Sequence, residues 1–127
     1  MNIETHQKID PALCGRAVAL EKGASQVELK TLPQMSVDDS GLVHGGFVFG
    51  LADYAAMIAV NHPHVVLGGA EVRFLKPVRV GERLLAAARV ETAEGKKRVV
   101  PVTVEREGEK VFEGTFSCFV LDRHVLA

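Results

Sequence analysis

The chain lacks an excess of either charge: 15 Lys and Arg stand against 16 Asp and Glu, a formal net charge of -1. Generic affinity for nucleic acid or a membrane surface is therefore not expected. It is poor in cysteine, with only Cys14 and Cys118, both in apolar surroundings and without CxxC or CxxH spacing. Reduced core thiols are expected rather than a disulfide or a zinc site. No apolar run approaches the about 20 residues a bilayer span requires. The amino terminus, MNIETHQKID, has no basic region leading into an apolar one, so export is not expected and a cytoplasmic location is. Repeats, low-complexity segments and linkers are also missing. The length of 127 residues suits one domain, 1–127, able to bury its own core.

Against this plain background one segment stands out. Residues 44–60 read HGGFVFGLADYAAMIAV, a long apolar stretch opened by a histidine and two glycines and holding one carboxylate, Asp53. It is too short and interrupted to cross a bilayer, so a buried helix is predicted. Small residues mark its turns, which lets a sheet or a neighbouring backbone come close. At 3.6 residues per turn, Gly46, Gly50, Asp53, Met57 and Val60 share one stripe, and Phe47, Leu51, Tyr54 and Ile58 another. A carboxylate taken into such surroundings unpaired costs several kcal/mol or is neutralised by protonation. Its retention points to chemistry; a purely structural carboxylate held by strand amides is the competing explanation.

The rest of the chain reads as strand. Residues 25–32, SQVELKTL, alternate with Val27, Leu29 and Thr31 on one side. A polar, turn-rich segment, 33–43, then leads to the helix, and Asn61, His62, Pro63 and His64 stop it. Four runs follow, 65–75, 82–92, 97–105 and 110–121, with EGKK and EREGEK as glycine-bearing hairpin turns. The predicted fold is α+β: an antiparallel sheet of five or six strands, in meander order, wrapped around one long central helix. The Gly68–Gly69 pair suits a β-bulge or a close approach of the sheet to ligand or helix. His62 and His64 have no companion Cys or carboxylate at ligand spacing, so no metal is expected.

These residues resemble the hot-dog fold thioesterases, in particular the branch of the phenylacetate-pathway and 4-hydroxybenzoyl-CoA thioesterases. The resemblance rests on Gly41, on His44, Gly45 and Gly46, on the LAD ending at Asp53 nine residues after the histidine, and on FLKP at 74–77 with Gly81 beyond it. It covers most of the chain. It implies hydrolysis of an acyl-CoA thioester without metal or cofactor, CoA entering only as part of the substrate, by dimers or dimers of dimers. It also implies that Asp53 is the catalytic carboxylate and that the Gly45 amide polarises the thioester carbonyl.

Elementary chemistry agrees, because the first amides of a helix lack acceptors and lie at the positive end of its dipole, so Gly45 and Gly46 can offer donors to an oxyanion. Gly45 and Asp53 are 8 residues apart, about 12 Å along one helix, whereas working contacts are about 3 Å. Two such helices, antiparallel across a two-fold axis, bring Gly45 of one copy to Asp53 of the other. The dimer is the expected catalytic unit.

Whether Asp53 attacks the carbonyl or activates water is left open by the sequence, and His44 is read as orienting the glycine turn or the substrate, direct proton transfer being the less favoured role. Lys76, Arg79, Lys97 and Arg98 are candidates for the CoA phosphates, with solvated hairpin edges as the plain alternative. Phe47, Phe49, Tyr54 and Met57 are placed to line a pocket for an aromatic or medium-chain acyl group, though ordinary core packing would use them equally well.

Two positions depart from the family pattern: Asp38 replaces an Asn six residues before the histidine, and Leu67 replaces a Ser or Thr seven residues before Phe74. Asp38 either raises the pKa of Asp53 or caps a turn. Leu67 offers no hydrogen bond, leaving Gly68 and Gly69 to admit a water in its place. The alternative function is that of an acyl-CoA-binding effector domain that does not hydrolyse, as in the malonyl-CoA-responsive regulators of fatty-acid synthesis. Fewer than thirty residues precede the first predicted strand, too few for an added helix-turn-helix. An enoyl-CoA hydratase would want an Asp and a His five residues apart at the helix entry, a pair this chain does not have.

Overall fold

A computed structural model describes all residues, 1–127. The chain begins with a one-turn helix α1 (Pro11–Cys14), capped by the Asp10 side chain on the Ala12 amide, and a hairpin of β1 (Arg16–Glu21) and β2 (Ala24–Lys30) follows. The long helix α2 (Gly45–Val60) comes next, then β3 (Val65–Phe74), β4 (Arg83–Arg89), the short β5 (Thr92–Glu94), β6 (Lys97–Arg106) and β7 (Glu109–Val120). All pairings are antiparallel, in the order β1-β2-β4-β6-β7-β3, with β5 on β6. A curved sheet around one buried helix is the hot-dog arrangement. It has seven strands rather than five or six.

The two additional strands had weak signals. β1 carries a register shift between Ala17 and Ala19 that spoils its alternation, and β5 is three residues long. The meander expectation holds for β4, β6 and β7, whose tight turns carry Gly95 and Gly108 at positive φ. It fails for β3, which pairs with β7 and forms the far edge of the sheet. The connection from Leu75 to Glu82 is long enough to cross over, so sequence neighbours need not become sheet neighbours.

Helix α2 packs into the sheet because its inward residues are small. Ala52, Ala55, Ala56 and Ala59 are buried, and the Ser25 hydroxyl on β2 donates to the Ala55 carbonyl at 2.7 Å. Val27, Leu29, Leu84, Ala86, Val102, Val104, Phe112 and Phe116 complete the wall of a 25-residue cluster. Burial of such area is the main favourable term, about 25 cal/mol per Å2. The stripe of Gly46, Gly50 and Asp53 stays partly uncovered, while Met57 below them is buried. Cys14 and Cys118 are both free thiols. No helix is long and apolar enough to cross a membrane.

Candidate active site

The turn into α2 is built by its own residues. His44, extended at φ -62 and ψ 130, is the N-cap, and its Nδ1 accepts from the Gly46 amide at 2.7 Å. His44 therefore orients the glycine turn, one of the two roles expected for it. Gly46 is thereby corrected as a donor: its amide is occupied by the imidazole. The Gly45 amide, one position earlier, has no protein partner. The Val43 amide donates to Val78 O, His44 to Met35 O and Val80 to Gly41 O, so the turn is bound to the loop after β3.

Gly45 opens into a cleft of about 290 Å3 walled by Val43, Val48, Phe74, Lys76, Val78 and Val111. A Cβ at Gly45 would come within 3.1 Å of the Phe74 ring, so glycine lets that aromatic lie directly over the amide. Arg106 fixes the outer wall of the cleft, donating to Pro77 O at 2.7 Å and pairing with Glu82 and Glu109.

Asp53 lies two turns further along the helix, in a separate cleft of about 480 Å3 with Thr5, His6, Met57, His64, Leu67 and His124 among its walls. Its Oδ1 is buried and has no hydrogen-bond partner. Burial pushes its pKa up to about 6. The Cys118 thiol nearby is pushed up to about 12, first by burial and then by the charge of Asp53. An unsatisfied buried carboxylate oxygen is costly, and strand amides that would explain it structurally are not there. Neither cleft contains both Gly45 and Asp53.

The other expected residues scatter. Asp38 accepts from the Ser40 amide and hydroxyl, which lower its pKa; it caps its own turn, and the raised pKa of Asp53 is due to burial. Phe47 meets His44 edge-on at 6.2 Å, Phe49 packs on Phe116 at 5.4 Å, and Tyr54 is buried against His6. Of the four side chains expected to line an acyl pocket, only Met57 borders the Asp53 cleft. Leu67 borders it too, whereas Gly68 forms the bulge of β3, where a Cβ would strike the Phe119 ring.

The four cations do not cluster. Lys76 and Arg79 lie in the loop near Gly45, while Lys97 and Arg98 begin β6 beside Phe119 and Cys118 at the other end of the sheet, with Arg98 donating to Gly95 O and Lys97 O. Thr5, His6 and His124 gave no sequence signal; only the fold brings residues so far from Asp53 to its cleft. A groove of about 510 Å3 elsewhere, between β1, β2, β4 and β6, has as its charged groups only Glu21 and Arg89, which pair at 3.2 Å. It offers no reactive centre.

Comparison with known proteins bears on this geometry. The sequence model of the thioesterase superfamily matches residues 40–113, a span that includes Gly45 and Asp53. A methylthioribose-1-phosphate isomerase of Aquifex aeolicus is 51% identical over 96% of this chain, which spans 27% of that protein. Transcription factor FapR of Caldanaerobacter subterraneus is 27% identical over 97% of this chain, which spans 64% of its length. Among solved structures, an uncharacterised protein from Pyrococcus horikoshii superposes with a TM-score of 0.99 at 54% identity, covering 100% of this chain and 98% of that one. The phenylacetic acid degradation protein PaaI from Thermus thermophilus, solved as a mutant, gives 0.80 at 28% identity over 88% of this chain and 100% of its own. A Streptococcus mutans protein bound to acetyl CoA gives 0.81 at 25% identity over 93% and 97%.

Proposed function

The chain belongs to the thioesterase superfamily and has its hot-dog fold, and from that premise we propose that it hydrolyses acyl-CoA thioesters in sites shared between two copies of itself. One observation carries the reading. A single helix holds an unpartnered amide, that of Gly45, and an unpartnered buried carboxylate, that of Asp53, in separate clefts about 12 Å apart. Neither cleft is complete alone. An antiparallel two-fold partner supplies to each the group it lacks, and the partly uncovered stripe of Gly46, Gly50 and Asp53 gives the second helix room to approach. The acetyl CoA held by the Streptococcus mutans protein supports the ligand class.

In the proposed reaction the thioester carbonyl oxygen accepts from the Gly45 amide of one copy. Asp53 of the other takes a proton from water as the water oxygen bonds to the acyl carbon. The C–S bond then breaks and the proton passes to sulfur, giving free acid and CoA. Direct attack by Asp53, followed by hydrolysis of the anhydride, uses the same two groups. The same assembly brings Lys97 of one copy to the end where its partner contributes Lys76 and Arg79, a basic rim suited to the CoA phosphates. Arg98, engaged with hairpin carbonyls, is the weaker candidate. A CoA thioester substrate and two free thiols suit a cytoplasmic setting.

That a relative, FapR, is a transcription factor favours a second reading for this chain, an acyl-CoA-binding domain without turnover, and the apolar Leu67 in the Asp53 cleft is compatible with it. An acyl-CoA panel read by free-thiol release decides between them. Wild type is expected to hydrolyse at least one aromatic or medium-chain thioester, and Asp53→Asn to lose about 100-fold or more. Gly45→Pro removes the amide proton at a helix N1 position, where proline is tolerated by the backbone and where the extended His44 suits the residue before it, while the Phe74 ring must give by a few tenths of an ångström to admit the new Cβ. It is expected to lose about 100-fold or more as well. Tight CoA binding with no thiol release from any donor would establish the second reading.

A further inference from the structure

The Asp53 cleft has an apolar wall on the β3 side, Val65, Val66 and Leu67, and its remaining polar side chains are Thr5, His6, His64 and His124. His6 differs from the other two imidazoles. Its backbone is left-handed, at φ 55, a conformation uncommon for non-glycine residues, though His adopts it more readily than most. Its Nδ1 is 2.8 Å from the hydroxyl of Thr5, which is only 6% exposed. Its ring leans on Tyr54, the residue after Asp53, at 6.5 Å between centroids.

The segment carrying His6 is fastened deliberately. Asn61, the left-handed C-cap of α2, donates through Nδ2 to Asn2 O and accepts through Oδ1 from the Glu4 amide. Gln7 Nε2 donates to Ile3 O, and the Ile9 amide to His6 O. The end of the helix that bears Asp53 thus holds the loop that delivers the imidazole to the same cleft.

We propose that His6 is a second catalytic residue, whose Nε2 accepts a hydrogen bond from the water that Asp53 deprotonates and so holds that water in line with the acyl carbon. The inference rests on the thioesterase reading. The Thr5 hydroxyl can accept from Nδ1–H, and in that tautomer the lone pair on Nε2 is free for one proton of the water, while Asp53 takes the other as the O–C bond forms. The C–S bond breaks and that proton leaves with the sulfur, so His6 ends each turnover neutral. Burial lowers the pKa of His6, which keeps it an acceptor near neutral pH. The titratable groups around the pair are Asp53 and Tyr54 on α2, Cys14 on α1, Cys118 on β7, and His64 and His124 on the flanking segments. The thiols and the phenol are shifted upward and remain neutral over the acid range.

The test is the pH profile of kcat/KM for thiol release in wild type, His6→Asn, His64→Gln and His124→Gln. Asn tolerates left-handed backbone, so His6→Asn is expected to keep the wild-type Tm and KM while kcat falls about 10- to 100-fold. Two ionisations should shape the acid limb of the wild type and one that of His6→Asn, with both ionisations kept in the other two variants. Should His6→Asn fold poorly, His6→Gly relieves the backbone and must show the same loss of kcat and of one ionisation. A His6 variant with wild-type kcat, or with both ionisations, overturns the inference while an inactive Asp53→Asn leaves the thioesterase reading standing. Absence of thiol release by the wild type overturns both.

Discussion

A carboxyl group whose folded pKa is raised by burial weakens the fold when it ionises. For Asp53 the advantage of the neutral form is fully present below the unfolded pKa near 3.8 and is lost as pH rises through about 6. Replacing it with Asn removes that penalty. Asp53→Asn is therefore expected to be more stable than wild type at pH 8 by on the order of 1–2 kcal/mol, and no more stable at pH 4. Melting curves at the two pH values check this, and an equal gain at both would mean the carboxylate is not strained by burial. The residue was legible in the sequence because it is the one charge in an apolar helix, nine positions after the histidine of a His-Gly-Gly turn. His6 was not, because nothing local to it differs from an ordinary polar terminus; its meaning comes from Asn61, 55 positions away.

The helix entry and the strand hairpins are where local chemistry decides structure. His44 satisfies the Gly46 amide as an N-cap, a task Ser performs at least as well. His44→Ser is expected to keep stability within about 0.5 kcal/mol and thiol release within about threefold, whereas His44→Ala should lose about 1 kcal/mol. Loss of activity in the Ser variant with the fold intact would assign the imidazole a proton-transfer role instead. Gly15 ends α1 at φ +100, with a Cβ position 2.7 Å from Val27, 2.9 Å from the Glu28 carbonyl and 2.9 Å from Leu51 of α2. Gly15→Ala is expected to cost more than about 2 kcal/mol in denaturant unfolding, because both the backbone and its neighbours must shift. Elements with strong periodicity, α2, β2, β4, β6 and β7, were readable; β1 with its bulge and the placement of β3 beside β7 depended on contacts distant in sequence.

At the level of the whole molecule, β1 and β3 leave two open sheet edges, and the helix leaves one open face. The shared-site arrangement makes a prediction that no single-chain site would. Asp53→Asn and Gly45→Pro subunits, each inactive alone, should recover activity when dissociated and reassembled together. A random equal mixture gives half mixed pairs, each with one intact site of two, so about a quarter of wild-type activity is expected. Recovery that stays at the level of the separate variants, in mixtures shown by mass to exchange subunits, would refute the composite site. The 12 Å argument was available from the sequence, but that the two clefts are physically separate, and that Lys76 and Lys97 lie at opposite ends of one protomer, required the fold.

Residues near the two ends of the chain, Thr5 and His6 at one and His124 and Val125 at the other, border the same opening beside Asp53. Any protein module spliced on at either end would emerge at the doorway of that chamber. A dye carried on such a module would stand beside whatever the cleft holds, so its emission could report occupancy. For laboratory use the same layout is a warning: a purification tag at either end is a foreign object at the entrance, and should be cut away before rates are measured.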